Sequence, residues 1–259
     1  MNLSEQLETA LGACTQAGVE ILKVYESDFS QSIQLKEDNS PLTQADMASN
    51  RIICDILRKS FPAYHILSEE GEACVPEDAE YCWVVDPLDG TKEFINRNGQ
   101  FTVNIGLVSD HRVVLGVVAV PVTGEVFYAA KGNGAFKQSR DGIQRIRVSD
   151  KTSELIWIGS KSHSSEKEQR LIKANRHLIG ETISAGSSLK GTMVAEGCAD
   201  VYYRFGYTSE WDTCAMQCIV EEAGGIFRQM DSSEMLYNRS NHLNEKGFYV
   251  VNRRENIWV

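Results

Sequence analysis

Two aspartates, Asp86 and Asp89, stand three residues apart directly after the apolar run 83–85. An apolar strand that ends here would present both carboxylates at its end. Pro87 and Gly90 lie beside the aspartates, and Pro, Asp and Gly all favour turns. Taken alone, the segment is therefore also typical of an ordinary β-turn.

A second strand-like run ends in acids as well. Residues 65–68 are followed by Glu69 and Glu70. Carboxylates that cluster at strand ends repel one another unless a cation lies between them. Mg²⁺ prefers hard oxygen ligands and keeps positions open for water and for a substrate phosphate. The two groups of acids together predict a magnesium site.

A third acid, Asp212, follows Glu210 and Trp211 at the predicted start of a helix. Taken alone, this aspartate reads equally well as an N-terminal cap, because acids are favoured in the first turn of a helix. Taken with the acids on the two strands, we expect Asp212 to carry metal from the second half of the chain.

Helices and short strands must position these acids. Apolar residues at helical spacing predict a helix over 3–25, with Ser4 as its cap. A second helix is predicted to begin at Thr43, where Asp46 completes a pattern that resembles a capping box, and to end near Phe61. Strand-like runs follow at 65–68, 81–85, 102–108, 113–120 and 125–130, with a tight connection at 131–136.

The pattern changes near residue 150. Strand-like runs at 155–159, 181–184, 201–205 and 248–251 then alternate with predicted helices at 165–176, 188–196 and 211–223. We expect two lobes in continuous contact. An α+β lobe, residues 1–150, would carry most metal ligands, and an α/β lobe, residues 151–259, would carry Asp212 and the residues that select the substrate.

The composition limits the class of protein. The 259 residues carry a formal net charge of −10 without a run of basic residues, which argues against a nucleic-acid-binding surface. Seven cysteines without a CxxC pair favour free thiols in a reducing compartment. We recognise no secretory signal in residues 1–25 and no apolar run long enough to span a membrane. These features predict a cytoplasmic protein, with peripheral attachment to the inner membrane face as the alternative, and give no sign of an oligomeric state.

Together the motifs resemble the lithium-sensitive magnesium phosphatase superfamily, which includes the inositol monophosphatases and the bisphosphate nucleotidases. The matching motifs are Asp-Pro-Leu-Asp-Gly-Thr at 86–91, Glu-Glu-Gly at 69–71 and Trp-Asp at 211–212. The resemblance runs nearly end to end. One departure follows Trp-Asp, where the family usually has small residues ending in Gly and this chain has Thr-Cys-Ala-Met at 213–216. We interpret this departure as altered helix packing that leaves Asp212 unaffected.

The resemblance implies a layered α/β fold, an alternating α-β-α-β-α sandwich. It implies two Mg²⁺ ions held by the backbone carbonyl of Leu88 and by four carboxylates, those of Glu69, Asp86, Asp89 and Asp212, and a third ion with Asp46. Two such ions about 4 Å apart bridge a phosphate in related chemistry. The resemblance also implies that lithium inhibits.

The resemblance implies further roles at the same site. Asp46, Glu69 and Thr91 would orient the attacking water. The backbone N–H groups of Gly90 and Thr91, where a short helix over 91–95 is predicted to begin, would hold phosphate oxygens.

Segments of the second lobe resemble the 3′(2′),5′-bisphosphate nucleotidases. These segments are Ser-Lys-Ser-His at 160–163, Gly-Ser-Ser-Leu-Lys at 186–190 and Tyr-Arg-Phe-Gly at 203–206. A second phosphate and the remaining substrate groups would then contact His163, Ser187, Ser188, Lys190, Arg204 and Asp212. Each of Lys190 and Arg204 is equally consistent with a solvated surface residue. A polar loop histidine such as His163 is more often exposed to solvent than a ligand contact.

The predicted reaction is hydrolysis of the 3′-phosphate of adenosine 3′,5′-bisphosphate (PAP) to AMP and phosphate, and of the related phosphosulfate PAPS, in clearing a by-product of sulfate assimilation. An inositol or other sugar-phosphate phosphatase of the same superfamily is the first alternative. The second is a non-catalytic protein that senses a phosphorylated nucleotide. Such a sensor is expected to have lost an acidic ligand, and the sequence retains all four.

Overall fold

Two helices at the beginning of the chain form the first layer. The computed structural model describes residues 3–27, 34–35, 41–71, 76, 79–160 and 165–259. Helix α1 (Ser4–Tyr25) has Leu3 as its N-cap, so the predicted cap at Ser4 is wrong. Helix α2 (Gln44–Ser60) begins at the predicted capping box, in which the side chains of Thr43 and Asp46 bond to each other's backbone N–H groups.

A seven-stranded sheet forms the second layer. After a two-stranded pair, β1 (Gln34–Leu35) and β2 (Pro41–Leu42), its strands follow in chain order, and all neighbours except the parallel first pair are antiparallel. They are β3 (His65–Ser68), β4 (Tyr81–Asp89), β5 (Thr102–Ser109), β6 (Arg112–Val120), β7 (Glu125–Ala130), β8 (Gly134–Ser139) and β9 (Gly142–Ile146). The predicted short helix is α3 (Thr91–Ile95). The hairpin β8–β9 was not predicted, because β9 is largely exposed and has no apolar run.

A five-stranded mixed sheet forms the fourth layer, in the order β11-β10-β12-β14-β13. These strands are β10 (Leu155–Ser160), β11 (Ile179–Ala185), β12 (Val201–Arg204), β13 (Ile226–Gln229) and β14 (Phe248–Val251). The helices between them are α4 (Glu166–Ala174), α5 (Leu189–Ala195) and α6 (Glu210–Glu222). Strand β13 directly follows the glycines at 224–225 and was not predicted.

The packing of these elements confirms the predicted five-layer sandwich. α1 and α2 cover one face of the first sheet, around buried Trp83 and Phe101. α5 and α6 lie in the shared core between the two sheets. α4 packs on the outer face of the second sheet, where Leu171 contacts the cluster around Trp157 and Tyr203. The two sheets use residues 65–146 and 155–251, and the division into lobes at residue 150 stays a prediction.

Two sequence-based expectations concern the surroundings of the protein. No helix within the described ranges is both long and apolar enough to cross a membrane. Six of the seven cysteines lie in those ranges, and all six are free thiols.

Glycines on neighbouring elements allow α6 to pack closely between the sheets. A Cβ added at Gly106 on β5 would overlap the sulfur of Cys214, and one added at Gly191 on α5 would overlap the sulfur of Met216. One added at Gly116 on β6 would overlap the carbonyl of Ala215 between them. Three of the four residues at 213–216, where the chain departs from the family pattern, therefore each fit against a glycine.

Gly116→Ala is expected to lower the free energy of unfolding by about 1–3 kcal/mol, because the added methyl meets backbone atoms that cannot rotate away. Thermal unfolding measures this change. Gly12→Ala is the matched control, because a Cβ at this position in α1 meets nothing within 4 Å and alanine favours helix. A Gly116→Ala protein that melts like wild type would contradict this account of how α6 is seated.

Candidate active site

Parallel strands bring the first acids together. β3 pairs in parallel with β4, so the chain leaves both strands at the same edge of the sheet. The N–H of Glu69, directly after β3, donates to the carbonyl of Val85 at 3.1 Å. Glu69 therefore lies beside Asp86, and its carboxyl group contributes to the raised pKa of Asp86.

A β-bulge in β4 aims Asp86 and Asp89 at one site. Asp86 pairs with Asn104 and Asp89 with Thr102, so three steps along β4 match two steps along β5. Residues three apart on a regular strand point to opposite faces, and one extra residue restores a common face. The predicted end of this strand at Val85 is therefore wrong, because β4 continues through Asp89. The chain turns at Gly90, whose φ is +91°.

Asp212 joins these acids from the middle layer. Carboxylate oxygens of Asp86, Asp89 and Asp212 all lie within 4.8 Å of one another. Asp212 stands in the first turn of α6, and its Oδ2 accepts the N–H of Ser209 at 2.6 Å in a capping box. Both interpretations of Asp212 from the sequence therefore hold, because its side chain caps α6 and also lies in the acidic cluster.

The electrostatics of the cluster call for a cation. Burial and the neighbouring carboxylates of Glu69, Asp89 and Asp212 raise the pKa of Asp86 well above its usual range. Burial and the charge of Asp89 raise the pKa of Asp212 to about 8. Burial also raises the pKa of Asp89, against the opposing charge of Lys190. Hard oxygen ligands crowded in this way fit a bound divalent cation such as Mg²⁺.

Asp46 and Thr91 form a second polar group beside the cluster. The hydroxyl of Thr91 donates to Oδ1 of Asp46 at 3.1 Å, and the N–H of Thr43 donates to Oδ2 at 2.8 Å. Thr91 Oγ1 also lies 3.4 Å from the carbonyl oxygen of Leu88. Asp46 is buried, and this burial raises its pKa.

A cavity of about 320 Å³ opens above these groups. Most of the predicted site residues line it, namely Glu69, Asp89, Gly90, Thr91, Ser187, Lys190, Arg204 and Asp212. Asp46, Asp86 and Ser188 are buried behind the lining. His163 lies outside the described residues. The site thus draws on both sheets and on the helices between them.

Ser188 and Lys190 are both buried, and their polar groups bond to other groups of the protein. Ser188 is 2% exposed, and its hydroxyl lies 2.9 Å from Oδ2 of Asp89 and 3.2 Å from the carbonyl oxygen of Asp212. Lys190 donates to the carbonyls of Ser187 and Ala185. Burial lowers the pKa of Lys190 to about 8.

Two polar residues on β5 were missed by the sequence analysis. Asn104 is 1% exposed and donates to Oδ2 of Asp89 at 3.2 Å and to the hydroxyl of Ser188 at 2.9 Å. Thr102 lies 3.0 Å from the hydroxyl of Ser187, oxygen to oxygen. The available signal was two polar residues at alternate positions of an apolar strand, which share one face.

The fold and the acidic site agree with a sequence comparison. The model of the inositol monophosphatase family matches residues 2–256. The chain therefore belongs to the inositol monophosphatase family, as the resemblance of the motifs predicted.

Particular relatives narrow this assignment. The 3′(2′),5′-bisphosphate nucleotidase CysQ of Salmonella typhimurium is 39% identical over 247 residues, which cover 95% of this chain and 99% of the relative. The crystal structure of CysQ from Bacteroides thetaiotaomicron is 38% identical and superposes with a TM-score of 0.85, covering 98% of this chain and 100% of that one. The inositol monophosphatase from Anabaena is 28% identical with a TM-score of 0.78, covering 97% and 92%.

Proposed function

We propose that the protein is a Mg²⁺-dependent phosphatase that removes the 3′-phosphate of PAP, and also of PAPS, to leave the 5′-substituted nucleotide. One observation carries the proposal, the convergence of three carboxylates at a cavity that Lys190 and Arg204 also line. The similarity to 3′(2′),5′-bisphosphate nucleotidases supports the choice of substrate. A cytoplasmic location is part of the proposal and is supported by the six free thiols.

Glu69, Asp86, Asp89, Asp212 and the Leu88 carbonyl would hold two Mg²⁺ ions, and Asp46 a third. Bound there, Mg²⁺ supplies charge neutralisation for a phosphoryl group that bears several negative charges. Because the buried acids repel one another, the cation also stabilises the fold around them. Inhibition by lithium stays a prediction from the family resemblance.

The protein's own groups place the attacking water. Thr91 directs its hydroxyl proton to Asp46, which leaves lone pairs of Thr91 Oγ1 ready to accept a hydrogen bond from water. When Thr91 Oγ1 takes up a proton from the water, the hydroxyl proton of Thr91 passes to Oδ1 of Asp46. Burial raises the pKa of Asp46, which favours its acting as the proton acceptor. Glu69, which lines the cavity, orients the same water in this proposal.

The rest of the cavity would hold the nucleotide. The backbone N–H groups of Gly90 and Thr91, at the start of α3, are proposed donors to the phosphate that is removed. Ser187 and Arg204 on the second sheet side would contact the second phosphate. Because Ser188 is buried, we propose that it orients Asp89 and does not contact the substrate itself. Its hydroxyl donates to the carboxylate of Asp89, and it would act on the substrate only through that carboxylate.

A substrate panel tests this function. Purified protein with Mg²⁺ is expected to hydrolyse PAP with a kcat/KM at least about tenfold above that for inositol 1-phosphate, because only the nucleotide presents a second phosphate to Ser187 and Arg204. Chromatography should identify the product as AMP rather than adenosine 3′-phosphate. A higher kcat/KM on inositol 1-phosphate would overturn the substrate assignment and favour the first alternative.

A further inference from the structure

One face of α2 contacts all three segments that carry the first-sheet part of the site. Asp46, Ser49 and Asn50 are spaced i, i+3 and i+4, so their side chains lie on the same side of the helix. Asp46 bonds to Thr91 at the start of α3. Ser49 bonds to the second segment, the bulge of β4, and Asn50 bonds to the third, the residues around Glu69. Neither Ser49 nor Asn50 has a role in the function proposed above.

Ser49 fixes the bulge of β4. It is fully buried, and its hydroxyl donates to the carbonyl oxygen of Pro87 at 2.6 Å. Pro87 has no register partner on β5, so its carbonyl lies outside the regular ladder. This carbonyl belongs to the peptide unit between Pro87 and Leu88, and Pro87 is the one residue between Asp86 and Leu88, the carboxylate and the backbone ligand of the proposed metal site. Ser49 therefore sets the orientation of the backbone between two ligands.

Asn50 holds the segment around Glu69 from both sides. Its Nδ2 donates to the carbonyl of Glu70 at 3.1 Å, and its Oδ1 accepts the hydroxyl of Ser68 at 2.7 Å. The thiol of Cys54, one turn further along α2, also donates to Oδ1 at 3.3 Å. Both residues that flank Glu69 are thus tied to one amide side chain.

We propose that Ser49 and Asn50 are positioning residues for the metal site, acting through the backbone of the segments that carry Glu69, Asp86 and Leu88. This inference rests on the proposed function. Because the acids repel one another, holding them at the correct spacing before the cation binds increases the affinity for the metal. A rigid helix supplies that constraint. Groups that orient ligands in this way change metal affinity about 10–100-fold when they are removed.

The test compares Ser49→Ala and Asn50→Ala with wild type in two titrations. The first measures the Mg²⁺ concentration that gives half of the Mg²⁺-induced rise in melting temperature, which requires no activity. The second measures the concentration for half-maximal phosphate release. Both concentrations are expected to rise at least about tenfold in each variant, while kcat at saturating Mg²⁺ stays within about threefold of wild type. If Asn50→Ala fails to fold, Ser68→Ala replaces it, because this change removes only a donor to Asn50. If Ser49→Ala fails to fold, Ser49→Cys replaces it, because a thiol is a weaker donor to the carbonyl of Pro87.

Asn252→Ala is the matched control. Asn252 is a buried asparagine that donates to the carbonyls of Ser149 and Lys151, away from the cavity lining. The Asn252→Ala variant is expected to have a lower melting temperature, with both Mg²⁺ midpoints unchanged. Shifts in Ser49→Ala and Asn50→Ala no larger than those in Asn252→Ala would overturn the positioning role. Wild-type protein that Mg²⁺ stabilises but that leaves PAP intact would overturn the proposed substrate and not this inference.

Discussion

Asp86→Asn is expected to lower kcat at least about a hundredfold, because the change removes the negative charge at the centre of the carboxylate cluster. The amide keeps the size of the side chain, so the fold is expected to remain. Removing one charge also relieves repulsion with Glu69, Asp89 and Asp212. Steady-state phosphate release from PAP at saturating Mg²⁺ measures the effect, and circular dichroism checks the fold.

Asp231→Asn serves as the matched control for this variant. Asp231 is an exposed aspartate paired with Lys246 on the surface, and its change is expected to leave kcat unaltered. Turnover at the wild-type level in Asp86→Asn would show that Asp86 holds no essential metal.

Chelation of divalent metal is expected to reduce phosphate release below about one hundredth of its value with Mg²⁺, since the cation neutralises the phosphoryl charge. Restoring Mg²⁺ is expected to restore the rate. The same ion should raise the melting temperature, because it binds the folded protein where buried acids repel one another. At about a hundredfold excess over its dissociation constant it contributes about 2.7 kcal/mol, or roughly 5–10 °C for a chain of this length.

Asp212→Asn provides the control for the thermal effect. The variant loses a proposed ligand, so its melting temperature is expected to respond less to Mg²⁺ than that of wild type. An equal rise in both proteins would place the stabilising ion elsewhere. Full activity in the presence of excess chelator would remove the metal from the reaction altogether.

Local sequence was enough to predict the elements that carry the site. The capping box at Thr43 and the apolar runs before Glu69 and Asp86 depend on neighbours in sequence. The capping box and β3 form as predicted, and β4 begins at the predicted residue but continues through Asp89. The acids could be predicted as metal ligands because several carboxylates at strand ends repel one another unless a cation lies between them. The parallel pairing of β3 with β4 then brings two of these ends to one edge of the sheet.

Features that depend on distant partners were not predictable in this way. The bulge at Pro87 is defined by the register with β5, and Asn104 becomes relevant only because that register places it opposite Asp86. Ser188 was predicted as a substrate contact at the start of a helix. Its burial against Asp89 was not predicted, because it follows from the packing of α5 between the sheets. The glycines that seat α6 likewise act across three elements.

The most direct test of the metal site is a crystal grown with Mn²⁺ and phosphate and measured for anomalous scattering. Mn²⁺ takes the same oxygen ligands as Mg²⁺ and scatters anomalously. We expect at least one strong peak about 2.0–2.3 Å from carboxylate oxygens of Asp86, Asp89 and Asp212, with phosphate beside it in the cavity. Crystals with ordered Mn²⁺ elsewhere, and none among these three aspartates, would contradict the account.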